Sequence, residues 1–197
     1  KDYFGQREWL KWDDDIKMRK PEAVKYYKAL LKEKIEFWQY VQYKFFRQWK
    51  DLKEYANSNG IRIIGDIPIY VAMDSSDVWA DPEYYQLDDD LNPIDVAGCP
   101  PDTFYEFGQK WGNPLYDWDE MEKTGFSWWK RRVEVAAGLY DVIRIDHFTG
   151  IAKYYAVPAD GMPVDGEYRT GPGEKLIEVI NDAADGAKII AEDLGIT

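Results

Sequence analysis

The stretch that most restricts the fold is Asp141 to Gly150, DVIRIDHFTG, where a short β-branched run gives way at once to ionisable groups. Val142, Ile143 and Ile145 predict a strand buried on both faces, and Gly150 closes it. Arg144, Asp146 and His147 then crowd three ionisable side chains into four positions at the strand's end. A guanidinium beside a carboxylate there either keeps the acid ionised in a partly dry site or forms a structural ion pair. Lys188 to Gly195, KIIAEDLG, repeats the layout, with Ile189 to Ala191 as a short strand that delivers Glu192 and Asp193. Two such strands with a helical segment between them make a βαβ pattern, which puts both sets of acids on the same side of a parallel sheet.

Paired carboxylates over one cleft equip a chain for glycoside chemistry, one as nucleophile or base and one as proton donor. Strand alternation turns Asp193 away from Glu192, so Asp193 is read as a structural hydrogen bonder. A third short strand is predicted upstream, Ile61 to Ile67, closed by Pro68 and ending near Asp66. Gly65 inside it predicts close approach of another backbone or a tight barrel wall. Asp66 could line the cleft or anchor the strand end, and the anchor is favoured.

Helical periodicity surrounds these strands. Pro21 suits a first helical position, and good helix formers run from Ala23 to Lys34. Trp38, Val41, Phe45, Trp49, Leu52 and Ala56 step by three or four residues, predicting one apolar face on a helix of about six turns. NSNG at 57–60 ends it. Ser127 to Tyr140 and Gly173 to Ala184 are the other helices. Residues 1–20 carry Tyr3, Phe4, Trp9 and Trp12 without a clean period, as a short helix or ordered loop. From 70 to 125 periodicity disappears, yet the segment is too aromatic for disorder and reads as an ordered insertion over the active face. The expected organisation is a helical segment 1–60, then an α/β core 61–197 that carries this insertion. Three parallel strands fit part of a doubly wound sheet or part of a barrel.

Composition removes several classes of function. With 25 basic against 37 acidic residues the net charge is −12, and no Lys/Arg stripe tracks a phosphate backbone, so nucleic acid is not an expected partner. The acidity also disfavours anionic ligands and anionic membrane surfaces, while a neutral ligand such as a sugar remains open. No GxGxxG or phosphate-loop motif follows a strand, so no nucleotide cofactor is expected, nor any metal. Cys99, the single cysteine, cannot pair internally. No apolar run reaches membrane-spanning length and the first residues lack a secretion profile, so a cytoplasmic enzyme or fragment is expected. Aromatics make up 16% of the chain. Most must be core, and the remainder could stack on pyranose rings.

Several long motifs occur in order from Phe37 to Thr197: FWQYVQYKFFRQW, GDIPIYVAMDSSDVW, VAGCPPDTFYEFGQKWGNPLYDW, RIDHFTG, GPGEKL and AEDLG. In these the chain resembles the 4-α-glucanotransferases of glycoside hydrolase family 77, also called amylomaltases or disproportionating enzymes. The resemblance implies part of a (β/α)8 barrel, about three central strands with their helices. It implies an α-1,4-glucan or maltooligosaccharide substrate and a retaining double displacement. Asp146 is then the nucleophile, Glu192 the general acid/base and Arg144 the cation aiming Asp146. Asp74, Tyr105, Gln109, Trp111, Asn113 and His147 match substrate-binding positions, and Tyr105 to Gly108 a mobile loop over the cleft. Trp111 could instead be a packed hydrophobe and Asp74 a loop cap. Arg144 should lower the Asp146 pKa, while an apolar wall behind Glu192 should raise that of Glu192.

The family's third catalytic carboxylate comes from a His-Asp motif near the seventh strand, and His147 is the only histidine present. The chain is therefore expected to be an incomplete piece of a longer enzyme with negligible turnover alone. An α-amylase-like hydrolase and a non-catalytic carbohydrate-binding domain are the competing readings.

Overall fold

The computed structural model describes residues 1–103 and 105–193. Leu194 and Gly195 of the AEDLG motif, and Phe104 in the aromatic loop, lie outside the described residues. The chain forms two compact units, Lys1–Arg62 and Ile63–Thr197.

The first unit is helical. Short 3-10 turns at Asp2–Phe4 and Trp9–Lys11 lead to α1 (Asp14–Lys17), α2 (Pro21–Leu30) and α3 (Lys32–Ser58). Pro21 opens α2 because its missing N–H would be unpaired there in any residue. The aperiodic aromatics of the first residues make a small core: Phe4 stacks on Trp12 with ring centres 4.6 Å apart, and Tyr27 of α2 leans on Phe4 at 5.3 Å. Phe4, Trp9, Ile16 and Ala23 are buried there. The long helix α3 has 27 residues, about seven and a half turns against the six its periodicity predicts, but none of its residues is buried, and Phe37, Trp38, Phe45 and Leu52 are exposed. Periodicity identifies a helix without saying what covers its apolar face.

The second unit holds two sheets. In the first, β1 (Ile64–Ile67), β4 (Val142–Ile145) and β7 (Lys188–Ala191) run parallel in the order β1-β4-β7. Ile143 and Ile145 of the central strand are fully buried, while Arg144 between them lies on the opposite face and is only partly buried. Helices α6 (Ser127–Leu139) and α7 (Glu174–Ala183) lie side by side, with Val133 and Ala136 on one and Leu176 and Ile180 on the other buried. Val133, Leu176 and Ile180 each contribute roughly 1.5–3 kcal/mol by leaving water. What approaches Gly65 is a ring rather than a backbone: a Cβ there would lie 2.0 Å from Cδ2 of Tyr140.

The second sheet is antiparallel, in the order β3-β2-β5-β6, built from β2 (Asp95–Cys99), β3 (Gln109–Pro114), β5 (Lys153–Pro158) and β6 (Glu167–Thr170). The described residues between 70 and 125 hold α4 (Ser76–Ala80), β2, β3 and α5 (Trp118–Lys123), and β2 pairs with β5, a strand contributed after β4. Ser75 and Asp117 cap α4 and α5 by accepting the N–H of Val78 at 3.2 Å and of Glu120 at 3.0 Å. Val96, Tyr155 and Val157 form the apolar side of this sheet. Arg169 of β6 reaches across β5 to Asp95 at 2.8 Å and pairs with Glu167 of its own strand at 2.9 Å.

Candidate active site

Strand register builds the site. Asp66 of β1 stands opposite Arg144 of β4, and Ile145 stands opposite Ala191 of β7, so the next residues in each chain, Asp146 and Glu192, follow in the same register. Side chains two apart on a strand share a face, which puts Arg144 and Asp146 together. The ladder continues past the strand ends, with Asp146 N–H donating to Ile67 O at 3.0 Å and Glu192 N–H to Ile145 O at 3.2 Å.

Arg144 is the hub. Its Nη1 donates to Asp66 Oδ2 at 2.6 Å, and its Nη2 donates to Asp146 Oδ1 at 3.0 Å and Glu192 Oε1 at 2.5 Å. A planar guanidinium suits this arrangement, since its fork can meet several carboxylates at once. Asp66 thus belongs to the cluster as well as to the strand end. The clue in sequence is that it ends its strand as Asp146 and Glu192 end theirs. The side chains of Asp66 and Asp146 are 59% and 47% exposed, whereas that of Glu192 is only 16% exposed, so the three acids differ in how much water they keep.

That difference, and one backbone amide, reverse the expected order of acidity. Asp146 is raised above the usual carboxylate range, chiefly by its hydrogen bond with Glu192, then by desolvation and the like charge, with Arg144 only partly offsetting them. Glu192 is lowered, chiefly because His147 N–H donates to its Oε2 at 2.8 Å, with the contacts to Asp146 and Arg144 adding to this. Hydrogen bonds to the charged form outweigh burial at Glu192.

His147 can present that amide because it adopts a left-handed backbone, φ 50°, as the chain leaves β4. Burial lowers its imidazole pKa, so the ring is neutral near pH 7. The ring meets Trp111 of β3 edge to face at 5.2 Å. Trp111 is partly exposed, its indole N–H donates to Gln109 Oε1 at 3.0 Å, and Tyr70 lies 6.3 Å from it. Trp111, Gln109 and His147 thus form one group beside Glu192. Asn113 uses its amide to hold the backbone, donating to Val71 O at 2.9 Å.

Asp74 lies half-buried in the turn just before the Ser75 cap. Tyr105 is exposed in a loop tied to itself: its N–H donates to Asp102 Oδ1 at 2.6 Å, and Gly108 N–H donates to its carbonyl at 2.9 Å. Gly108, φ 72°, sits where a Cβ would lie 2.6 Å from Cys99 O and 2.8 Å from Pro163 Cβ, which seats the loop's end. No group of three or more His, Cys, Asp or Glu side chains suited to a metal ion occurs among the described residues. None of their helices is long and apolar enough to cross a membrane.

Known proteins resemble the chain throughout. The 4-alpha-glucanotransferase of Clostridium butyricum is 50% identical over 194 residues, 98% of this chain and 40% of that protein. The Thermus thermophilus enzyme of the same name is 46% identical over 98% of this chain and 39% of its own length. The amylomaltase of Streptococcus agalactiae, solved in complex with acarbose, superposes with a TM-score of 0.92 at 42% identity, covering 100% of this chain and 40% of that one. The chain thus spans about two-fifths of the relatives it matches. The family model for glycoside hydrolase family 77, 4-alpha-glucanotransferase, matches residues 1–197, including the first 36 residues where the motifs are silent. The chain belongs to that family.

Proposed function

We propose that the full-length protein carrying this chain is a 4-α-glucanotransferase that moves α-1,4-glucan segments between maltooligosaccharides, and that this chain supplies three central strands of its (β/α)8 barrel. The observation that carries this reading is the fork of Arg144 over Asp66, Asp146 and Glu192, with one nitrogen, Nη2, meeting both Asp146 and Glu192 at the ends of adjacent parallel strands.

In the first step the Asp146 carboxylate attacks the anomeric carbon as the bond to the leaving glucan breaks. Glu192 gives its proton to the departing oxygen. In the second, Glu192 takes the proton of an acceptor hydroxyl, whose oxygen displaces Asp146, so that two inversions retain the configuration. A sugar entering between the acids breaks their mutual hydrogen bond and leaves Asp146 paired with Arg144, which favours its ionised form. The pair must then stand roughly 5–5.5 Å apart. Glu192 takes up the proton only with the glycosidic oxygen seated and water displaced by the loop around Tyr105.

Trp111 and His147 serve as sugar contacts, Gln109 orients Trp111, and Asp74, Tyr105 and Asn113 complete the binding region directly or through the backbone. A transition-state carboxylate is assigned to the remainder of the full-length protein, so the 197 residues alone turn over negligibly. Incubating the full-length protein with maltotriose should give glucose together with oligosaccharides longer than the substrate. Glucose and maltose alone would identify a hydrolase, and no reaction would favour a binding domain.

A further inference from the structure

The segment from Ile67 to Val71, which leaves β1 beside the acid pair, is held by its carbonyls. Ile67 O accepts Asp146 N–H at 3.0 Å. Pro68 O accepts Arg132 Nη2 at 2.6 Å, and Ile69 O accepts both Arg132 Nη1 at 3.2 Å and the Tyr116 hydroxyl at 2.7 Å. Val71 O accepts Asn113 Nδ2 at 2.9 Å. One guanidinium on α6 therefore clamps two successive carbonyls. It is itself fixed from behind, with Cζ 5.2 Å from the Trp128 ring centre and 5.0 Å from that of Trp129, both rings buried.

The clamp reaches the chemistry through Ile69. This side chain is buried and closes on Gly150, where an added Cβ would lie 2.9 Å from Ile69 Cδ1 and 2.9 Å from Cδ2 of His147. Ile69 and His147 thus both abut one glycine, leaving no room for a side chain there. The His147 N–H is the donor that Glu192 Oε2 accepts at 2.8 Å. The next residue, Tyr70, faces Trp111, which in turn meets the His147 ring. An interior packed this closely passes a displacement of Ile69 on to the 147–150 turn.

We infer that Arg132 is a positioning residue for the reaction: by clamping the carbonyls of Pro68 and Ile69 it sets the Gly150 turn that aims the His147 amide at Glu192. The inference rests on the reading of Asp146 and Glu192 as the reacting pair. Arg132 touches neither acid. A loosened clamp leaves the sugar contacts in place while the donor to Glu192 drifts, so the loss falls on kcat rather than KM. Misplacement by about 1 Å can cost on the order of 100-fold.

The test uses Arg132→Met and Arg132→Lys in the full-length protein, with maltotriose as substrate and the wild type as control. Arg132→Met should lower kcat by roughly 10- to 100-fold while KM changes little. Arg132→Lys should recover only part, because one ammonium keeps the charge against the two rings but cannot reproduce the fork. As Glu192 loses its amide donor its pKa rises, so the basic limb of the kcat profile should move to higher pH. A fold defect alone lowers the amount of competent enzyme without moving that limb. Should Arg132→Met not fold, Arg132→Lys decides alone. Unchanged kcat, a loss matched by the loss of folded protein, or an unmoved basic limb overturns the inference. A wild type unable to transfer glucose overturns the functional reading instead.

Discussion

Replacing Glu192 with Gln separates the roles of the two acids. The variant keeps the side chain's size and leaves an oxygen to accept the His147 N–H now at 2.8 Å, but it cannot carry a proton to the leaving oxygen and loses the charge that Arg144 meets at 2.5 Å. A positioned general acid typically contributes 10²–10⁴-fold. At about 1.36 kcal/mol per decade that is roughly 2.7–5.5 kcal/mol of barrier, and the maltotriose rate of the full-length protein should fall accordingly. In the first step the loss should be confined to substrates that need the proton: an α-glucosyl fluoride, whose fluoride leaves unassisted, should still release a burst of fluoride at a rate near wild type before the second step stalls for want of the base. Because Asp146 is raised chiefly by Glu192, the substitution also removes the main cause, leaving desolvation against Arg144. The Asp146 pKa therefore falls, and the acid limb for fluoride consumption should shift to lower pH. Equal losses on maltotriose and fluoride, or an acid limb moving to higher pH, would refute this reasoning.

Arg144→Met should lower transfer by on the order of 100- to 1000-fold, and Arg144→Lys should restore little, because three acids in one fan suit a fork and not a point charge. Initial rates of oligosaccharide formation check both. Trp111→Ala removes the ring that borders His147 and should raise KM by about 2- to 10-fold, the worth of one aromatic contact, with a smaller effect on kcat. Gly65→Ala drives a methyl into the Tyr140 ring and should cost about 1–3 kcal/mol, read as an earlier denaturation midpoint. Tyr140→Ala in the same molecule should return part of that loss, which a double-mutant cycle measures.

What the sequence disclosed follows the range of the interactions involved. The parallel strands and their flanking helices announce themselves locally, through β-branched runs such as Val142 to Ile145 and through three-to-four spacing. The antiparallel sheet does not. Its strands DVAGC and QKWGNP are interrupted by Gly and Pro, and β2 pairs Asp95 with Pro158, far along the chain. Nothing local marks such a partner. The nearness of the two acids is legible because register follows from strand ends, and the place of Asp66 in the cluster is not, because its tie to Arg144 spans 78 positions. The direction of the pKa shifts was not legible. It depends on a left-handed turn at His147, which swings a backbone amide onto Glu192, and side-chain identities say nothing of that amide. The exposed face of α3 makes the same point for packing, since periodicity names a face and not its cover.

The central claim is that Asp146 carries the sugar between donor and acceptor. Its most direct test is to mix the full-length Glu192→Gln protein with an α-maltosyl fluoride, quench, digest and map the modified peptide by mass spectrometry. The account predicts a maltosyl ester on the peptide containing Asp146, released as α-maltosyl azide when azide, a nucleophile with no proton to lose, attacks the anomeric carbon and displaces the carboxylate. An ester on another residue, or fluoride release with no covalent sugar at all, would contradict it.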